Sequence, residues 1–202
     1  MVELLLYGAS GHAKVVIDCV RSTAGNVMGI FDDDPEKTSL FDVPVIGNYD
    51  PGKYANLPLV ISIGDNKTRY GISKSVSHTL TRVIHRTALI SSNVDVGLGT
   101  VVFHGAIIQS GSEIGKHVII NTSATVDHDC IIKDFVHIAP GATICGGVTI
   151  GQGAQVSAGA VIIPGIEIGD WAVVGAGSVI TKNVEDYAIV VGSEGRIIRY
   201  NN

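Results

Sequence analysis

Two different patterns of apolar and polar positions divide the chain. From residue 88 to residue 183 the pattern repeats every six residues without an insertion: ALISSN VDVGLG TVVFHG AIIQSG SEIGKH VIINTS ATVDHD CIIKDF VHIAPG ATICGG VTIGQG AQVSAG AVIIPG IEIGDW AVVGAG SVITKN. The third position of all sixteen hexads is Ile or Val, and the first is Ala, Ser, Thr, Cys, Val or Ile. A helix needs a period of 3.6 and an ordinary strand a period of 2. A period of six sustained over this length predicts a parallel β-helix. Each hexad supplies a short strand and a bend, and three hexads close a triangular coil of 18 residues. The third residue points inward and stacks on its equivalent in the next coil. With about 4.8 Å per stacked strand, just over five coils make a prism roughly 25 Å tall. Its open ends need caps, which the first half and the segment from Glu185 can supply.

Residues 1 to about 85 follow another pattern. ELLLYG and NVMGIFDDDP predict strands, and ASGHAKVVIDCVRSTAG between them predicts a turn and a helix ending near Gly25. VPVIG is a short strand, LPLVISIG a buried one, and DNKTRYGISKSVS a second helix. Strands alternating with helices predict a small parallel α/β sheet of Rossmann-like βαβ type. Residues 80–87, LTRVIHRT, are expected to join the halves, giving domains at 1–85 and 86–202.

Composition narrows the function. Only 16% of the 202 residues are charged and 25 are Gly, so disorder is not expected. A formal charge of −5 argues against a nucleic-acid binder, which shows a basic face. No segment reads as a membrane span and the N-terminus lacks a signal pattern, so a cytoplasmic protein is expected. Cys19, Cys130 and Cys145 are too few and too scattered for a disulfide framework or a zinc knuckle, and read as small buried thiols.

Candidate chemistry lies at two places. In YGASGHAKVV, Gly8 and Gly11 sit between a strand and a helix, where a ligand can approach the backbone and the helix N-terminus attracts phosphate. Asp32 and Asp33 follow the next strand, and Gly64, Asp65 and Asn66 follow the last. All fall on the carboxyl edge of the sheet, where open α/β sheets bind ligands. The second place is VDHD, residues 126–129. Counting by 18 puts Gly146 and Ser110 above and below His128, and Gly147 and Gly111 beside Asp129. Small residues on both sides predict a groove. An imidazole beside a carboxylate suits a general base near neutral pH, and either Asp127 or Asp129 can orient the ring. His137 lies half a coil on, on the far side of the prism. It could join His128 only across a subunit interface, so a homotrimer with active sites between subunits is expected.

YGASGH, FDDDP, SIGDN, NTSATVDHDC, VHIAPGATICGGVTIG and VVGAGSVITKNV together resemble the nucleotide-sugar N-acetyltransferases of bacillosamine and perosamine biosynthesis, a family also described as sialic acid O-acetyltransferases. The resemblance spans nearly the whole chain. It implies a left-handed β-helix carrying an acetyl-CoA-dependent transferase, with direct transfer in a ternary complex and no metal. It implies His128 as the base that deprotonates the sugar amine and Asp129 as its partner. It places acetyl-CoA at His137 and along Gly146, Ala158 and Ala176. The nucleotide-sugar, of UDP-4-amino-sugar type, would be held by Ser10, Gly11, His12, Asp32, Asp33, Gly64 and Asn121. Two departures stand out: Asp129 replaces the family's usual Glu, and the tail reads VGSEGRIIRY instead of VGxPAK. O-acetylation of a sugar such as sialic acid would use the same base. A non-catalytic trimerising β-helix would instead show Thr or charge rows and no isolated acid–imidazole cluster.

Overall fold

A computed structural model describes residues 2–201. The N-terminal lobe runs β1 (Glu3–Tyr7), α1 (Gly11–Ser22), β2 (Asn26–Phe31), a hairpin of β3 (Ser39–Leu40) and β4 (Val43–Pro44), β5 (Leu59–Ile61) and α2 (Asn66–Ser73). Its three-stranded parallel sheet has the order β2-β1-β5, so the apolar run Leu4, Leu5, Leu6 is buried in the middle. In α1, Ala13, Val16, Ile17 and Val20 recur at helical spacing. They pack together with Val101, Phe103 and Ile119 of the solenoid, so one helix face closes both cores. Cys19 lies at this seam with its thiol on the Val102 carbonyl at 3.5 Å, and burial pushes its pKa up to about 12.

The rest of the chain is a β-solenoid of two-residue rungs, one per hexad, from Leu89–Ile90 to Val179–Ile180. Parallel pairing joins residues 18 apart, as in Thr125↔Thr143 and His137↔Gln155. The first and third residues of each hexad fill a single core whose members, such as Val126, Ile144 and Ile162, are fully buried. Each such Ile or Val contributes about 1.5–3 kcal/mol of burial.

The solenoid begins earlier than the hexad pattern indicates. Val83–Ile84, expected to be connector, pairs with Val101–Val102 as the first rung. At the other end Ala188–Val191 adds a strand parallel to Val173–Val174, and Arg196–Tyr200 folds back antiparallel as an exposed edge.

Three faces result. The covered face carries Val101, Ile119 and His137 under the N-terminal lobe. The neutral face presents Leu89, Ile107, Thr125, Thr143, Val161 and Val179, with no charge on any rung. The acidic face presents Asp95, Glu113, Ile131, Thr149 and Glu167. Corner geometry is uniform: every sixth residue from Gly99 to Gly177 has positive φ. Glycine suits that conformation best. Five of these corners are not glycine: His117, Ser123, Asp129, Phe135 and Trp171. No helix among the described residues is long and apolar enough to cross a membrane.

Candidate active site

The VDHD turn forms the corner between the neutral and acidic faces. Val126 stays in the core, and the turn projects outward from it. Asp129, at φ 58°, directs its carboxylate to the imidazole: Oδ2 lies 2.8 Å from His128 Nδ1. The other acid has another task. Asp127 Oδ1 accepts the backbone N–H of His128 at 2.8 Å. Asp129 is therefore the ring's partner and Asp127 the turn's brace. The Asp129 hydrogen bond, helped by the charge of Asp127, raises the His128 pKa above its ordinary value. With Nδ1–H donated to the carboxylate, Nε2 keeps its lone pair.

Glycines seat both side chains. A Cβ at Gly146 would lie 2.7 Å from Cε1 and Nε2 of His128, and one at Gly111 would collide with Asp129 Oδ1. The small residues above and below are thus less an empty groove than two sockets, one for the ring and one for the carboxylate. Ser112 supports the turn from inside: its hydroxyl donates to Asp127 O at 2.6 Å and accepts from Cys130 N at 3.0 Å. A hydroxyl at an inward first position was the available signal for it. Cys130 is buried and its thiol pKa is raised by burial, which suits packing and not nucleophilic attack.

The second cluster lies at the carboxyl edge of the lobe's sheet. Gly8, at φ 105°, bends the chain out of β1, and a Cβ there would clash with the Ile63 side chain. Ser10 occupies the cap position of α1 without a side-chain cap bond, and a Cβ at Gly11 would meet open space. No side chain caps the first amides of α1, an arrangement that can receive an anion.

Asp32 is engaged in holding this turn. It accepts from Ala9 N at 2.6 Å, Asp34 N at 3.0 Å and Lys37 Nζ at 3.0 Å. Burial pushes its pKa up, but these bonds outweigh burial and the net shift is down. Asp33 is exposed and accepts the Tyr7 hydroxyl at 3.2 Å. Of the two acids, Asp33 is the one free to meet a ligand.

His12, Gly64, Asn121 and His137 come together where the lobe meets the covered face. The rings of His12 and His137 are 6.4 Å apart, and Gly64 lies against the His12 ring. Asn121 Nδ2 donates to His137 Nε2 at 3.0 Å. Burial, and then the nearby Arg69 charge, lower His12 to about 4 and His137 to about 3, so both are neutral at pH 7. His12 Nε2 is buried with no hydrogen-bond partner among the described residues. His137, expected beside acetyl-CoA, thus shares a cluster with three of the expected sugar-nucleotide residues. Within one chain it does not meet His128, which lies on the corner between the two other faces. Ala158 and Ala176 are exposed on the corner between the covered and neutral faces, one coil apart. They and Gly146 therefore flank the neutral face from its two sides. Among the described residues no cluster of His, Cys, Asp and Glu is suited to a metal ion.

The fold and site define a hexapeptide-repeat β-solenoid of the transferase type with an α/β lobe in front. Residues 3–76 match the PglD N-terminal domain, and residues 129–164 and 147–182 match the bacterial transferase hexapeptide repeat. PerB from Caulobacter crescentus, solved with CoA and GDP-perosamine, is 34% identical over 98% of both chains with a TM-score of 0.93. The acetyltransferase domain of PglB from Neisseria gonorrhoeae, solved with acetyl coenzyme A, is 32% identical, with coverage of 97% and 98% and a TM-score of 0.90. WeeI from Acinetobacter baumannii is 29% identical over 98% of this chain and 100% of its own, with a TM-score of 0.85. An uncharacterized protein of Acanthamoeba polyphaga mimivirus is 36% identical over 93 residues, so this chain aligns with only 19% of that protein. The chain belongs to the family of hexapeptide-repeat sugar acetyltransferases with a PglD-type N-terminal domain.

Proposed function

We propose that the protein transfers the acetyl group of acetyl-CoA to the amine of a nucleotide-linked amino sugar. The observation that carries this is the His128 corner: an exposed imidazole, seated on Gly146, with Nδ1 held by Asp129 and Nε2 free. The attacking amine passes its proton to Nε2 as nitrogen bonds to the thioester carbonyl, and Asp129 stabilises the imidazolium. The C–S bond then breaks, and the imidazolium returns the proton to the departing thiolate. The oxyanion is met by a backbone N–H of the corner. No covalent acyl-enzyme is needed, because a thioester is already activated. General-base catalysis of this kind contributes about 10²–10⁴-fold.

The nucleotide diphosphate would sit on Ser10, Gly11 and the first turn of α1, with Asp33 on the ribose or base and Asp32 holding the turn. His12, Gly64 and Asn121 would face the sugar. UDP is the expected nucleotide, and the GDP-perosamine complex of PerB makes GDP the competing choice.

The active site would form between subunits of a homotrimer. The neutral face supports this: it is uncharged, it is not the face that the lobe covers, and it is bounded by His128 on one side and Ala158–Ala176 on the other. Packing such faces about a threefold axis brings the His128 corner of one subunit towards the His12–Asn121–His137 cluster of the next. Acetyl-CoA would run in that seam, past Gly146 of one chain and Ala158 and Ala176 of its neighbour, with His137 near the thioester. A cytoplasmic location belongs to the same reading. The product distinguishes the chemistry: an N-acetyl product survives mild base, whereas an O-acetyl ester loses its acetyl group. A base-labile product contradicts amine acetylation.

A further inference from the structure

We propose that Arg69 and Asn66 of α2 are positioning residues that fix the nucleotide-binding edge of the lobe to the solenoid in one geometry. The role rests on the functional reading above, while the clamp itself stands on the contacts alone.

Arg69 is only 1% exposed, yet no carboxylate is among its hydrogen-bond partners. Its Nε donates to His117 O at 2.9 Å and its Nη2 to Phe135 O at 2.9 Å. Nη2 also donates to Asn66 Oδ1 at 2.8 Å, which turns the Asn66 amide nitrogen towards Gly153 O at 3.1 Å and Ala154 O at 3.2 Å. His117, Phe135 and Gly153 are spaced by 18: they are the same left-handed corner in three successive coils. Two adjacent side chains of α2 therefore take a column of three outward carbonyls. Phe135 also carries the Tyr70 ring edge-on at 5.1 Å, and Tyr70 meets Trp171 at 5.5 Å, so the next residue of α2 braces the same corner.

The other arm of the guanidinium reaches the binding edge. Nη1 donates to Ile63 O at 2.9 Å and to Gly64 O at 3.1 Å. Gly64 lies against the His12 ring, and His12 faces His137. One planar group thus joins the end of β5 to the solenoid beside the sugar-facing cluster. A buried cation with Asp65 nearby but no carboxylate bonded to it is an expensive way to hold two surfaces together, and apolar packing serves better for stability alone. What the rigid fork adds is direction: its donors fix angle as well as distance. Burial lowers the Arg69 pKa to about 10, which leaves it cationic at neutral pH.

The test compares wild type with Arg69→Met, Arg69→Lys and Asn66→Ala. Amide hydrogen exchange reads the clamp without any assay of activity. In Arg69→Met, exchange at the bonded α2 amides Arg69–Ser73 is expected to rise at least tenfold while the Ile144 and Ile162 rungs stay protected. In turnover, KM for the nucleotide-sugar is expected to rise tenfold or more and KM for acetyl-CoA to stay within twofold. Arg69→Lys should recover part of the loss, since it restores charge but not the fork. Asn66→Ala, which leaves Arg69 in place, should show the same pattern more weakly and serves if Arg69→Met does not fold. Unchanged exchange at Arg69–Ser73 in a folded variant overturns the clamp. Equal rises in both KM values overturn its positioning role. A wild type inactive on every nucleotide-linked amino sugar removes the functional reading, and the exchange result still decides the clamp.

Discussion

A Cβ at Gly146 would lie 2.7 Å from Nε2 of His128, so the imidazole rests in the space that a glycine one coil away leaves open. Gly146 is not among the residues with positive φ, so alanine there meets no backbone strain. Gly146→Ala is expected to push the ring off its seat and lower kcat/KM by about 10–10²-fold, a part of the full general-base effect. Its melting temperature should stay near that of wild type, because His128 is exposed. Steady-state kinetics and a thermal scan on one preparation check both.

Asp129→Asn keeps a side chain that tolerates the left-handed corner but removes the carboxylate. The bond from Asp129 raises the His128 pKa, and only the neutral ring is a base. Wild-type activity is therefore lost as pH falls through this raised pKa. In the Asn variant the acid limb of log(kcat/KM) should move to lower pH, and the plateau should drop by about 10–10²-fold through loss of the oriented tautomer. A pH–rate profile reads both effects.

The neutral face gives a test of assembly. Thr143→Glu places a carboxylate between Thr125 and Val161, in the middle of that face. The chain should fold but sediment as a monomer and lose at least tenfold in activity. Ile144→Ala, one residue on and fully buried, should act in the opposite way: it costs about 2–5 kcal/mol of stability and leaves the oligomer intact while folded.

Three buried imidazoles make the fold acid-labile. Burial, and then the Arg69 charge, hold His12 and His117 near 4 and His137 near 3, against 6.5 when unfolded. A His with a depressed folded pKa binds its proton more readily in the unfolded chain. Its contribution is thus complete above pH 6.5 and declines as pH falls from there towards the folded value. Each adds a slope of up to about 1.4 kcal/mol per pH unit in that window. Urea midpoints measured between pH 7.5 and 4.5 should fall steeply below pH 6.5, and His117→Phe should flatten the decline.

The solenoid was legible because its period lies in side chains: Ile or Val at the third position of every hexad and glycine at most corners. Adding 18 to a residue number then found Gly146 for His128, and subtracting 18 found Gly111 for Asp129. The first rung was missed because Arg82 stands where an inward small residue belongs. It can do so because Val83–Ile84 ends its sheet with no coil below. The role of Asp32 was half legible: a carboxylate at a strand end signals a ligand site, but only coordinates reveal Ala9 N and Lys37 already on it. The Arg69 ladder left no trace in composition, since backbone carbonyls have no residue signature. His137 was placed on the far side of the prism from His128 by counting, but its neighbours His12 and Gly64 come from a lobe whose docking no period encodes.

The most direct measurement offers acetyl-CoA with UDP-, GDP- and dTDP-linked amino sugars and with free sialic acid, and follows thiol release for wild type and His128→Ala. Turnover is expected with a nucleotide-linked amino sugar, with a base-stable product and a loss of about 10²–10⁴-fold in the variant. Turnover with sialic acid alone, or near-normal turnover in His128→Ala, would contradict it.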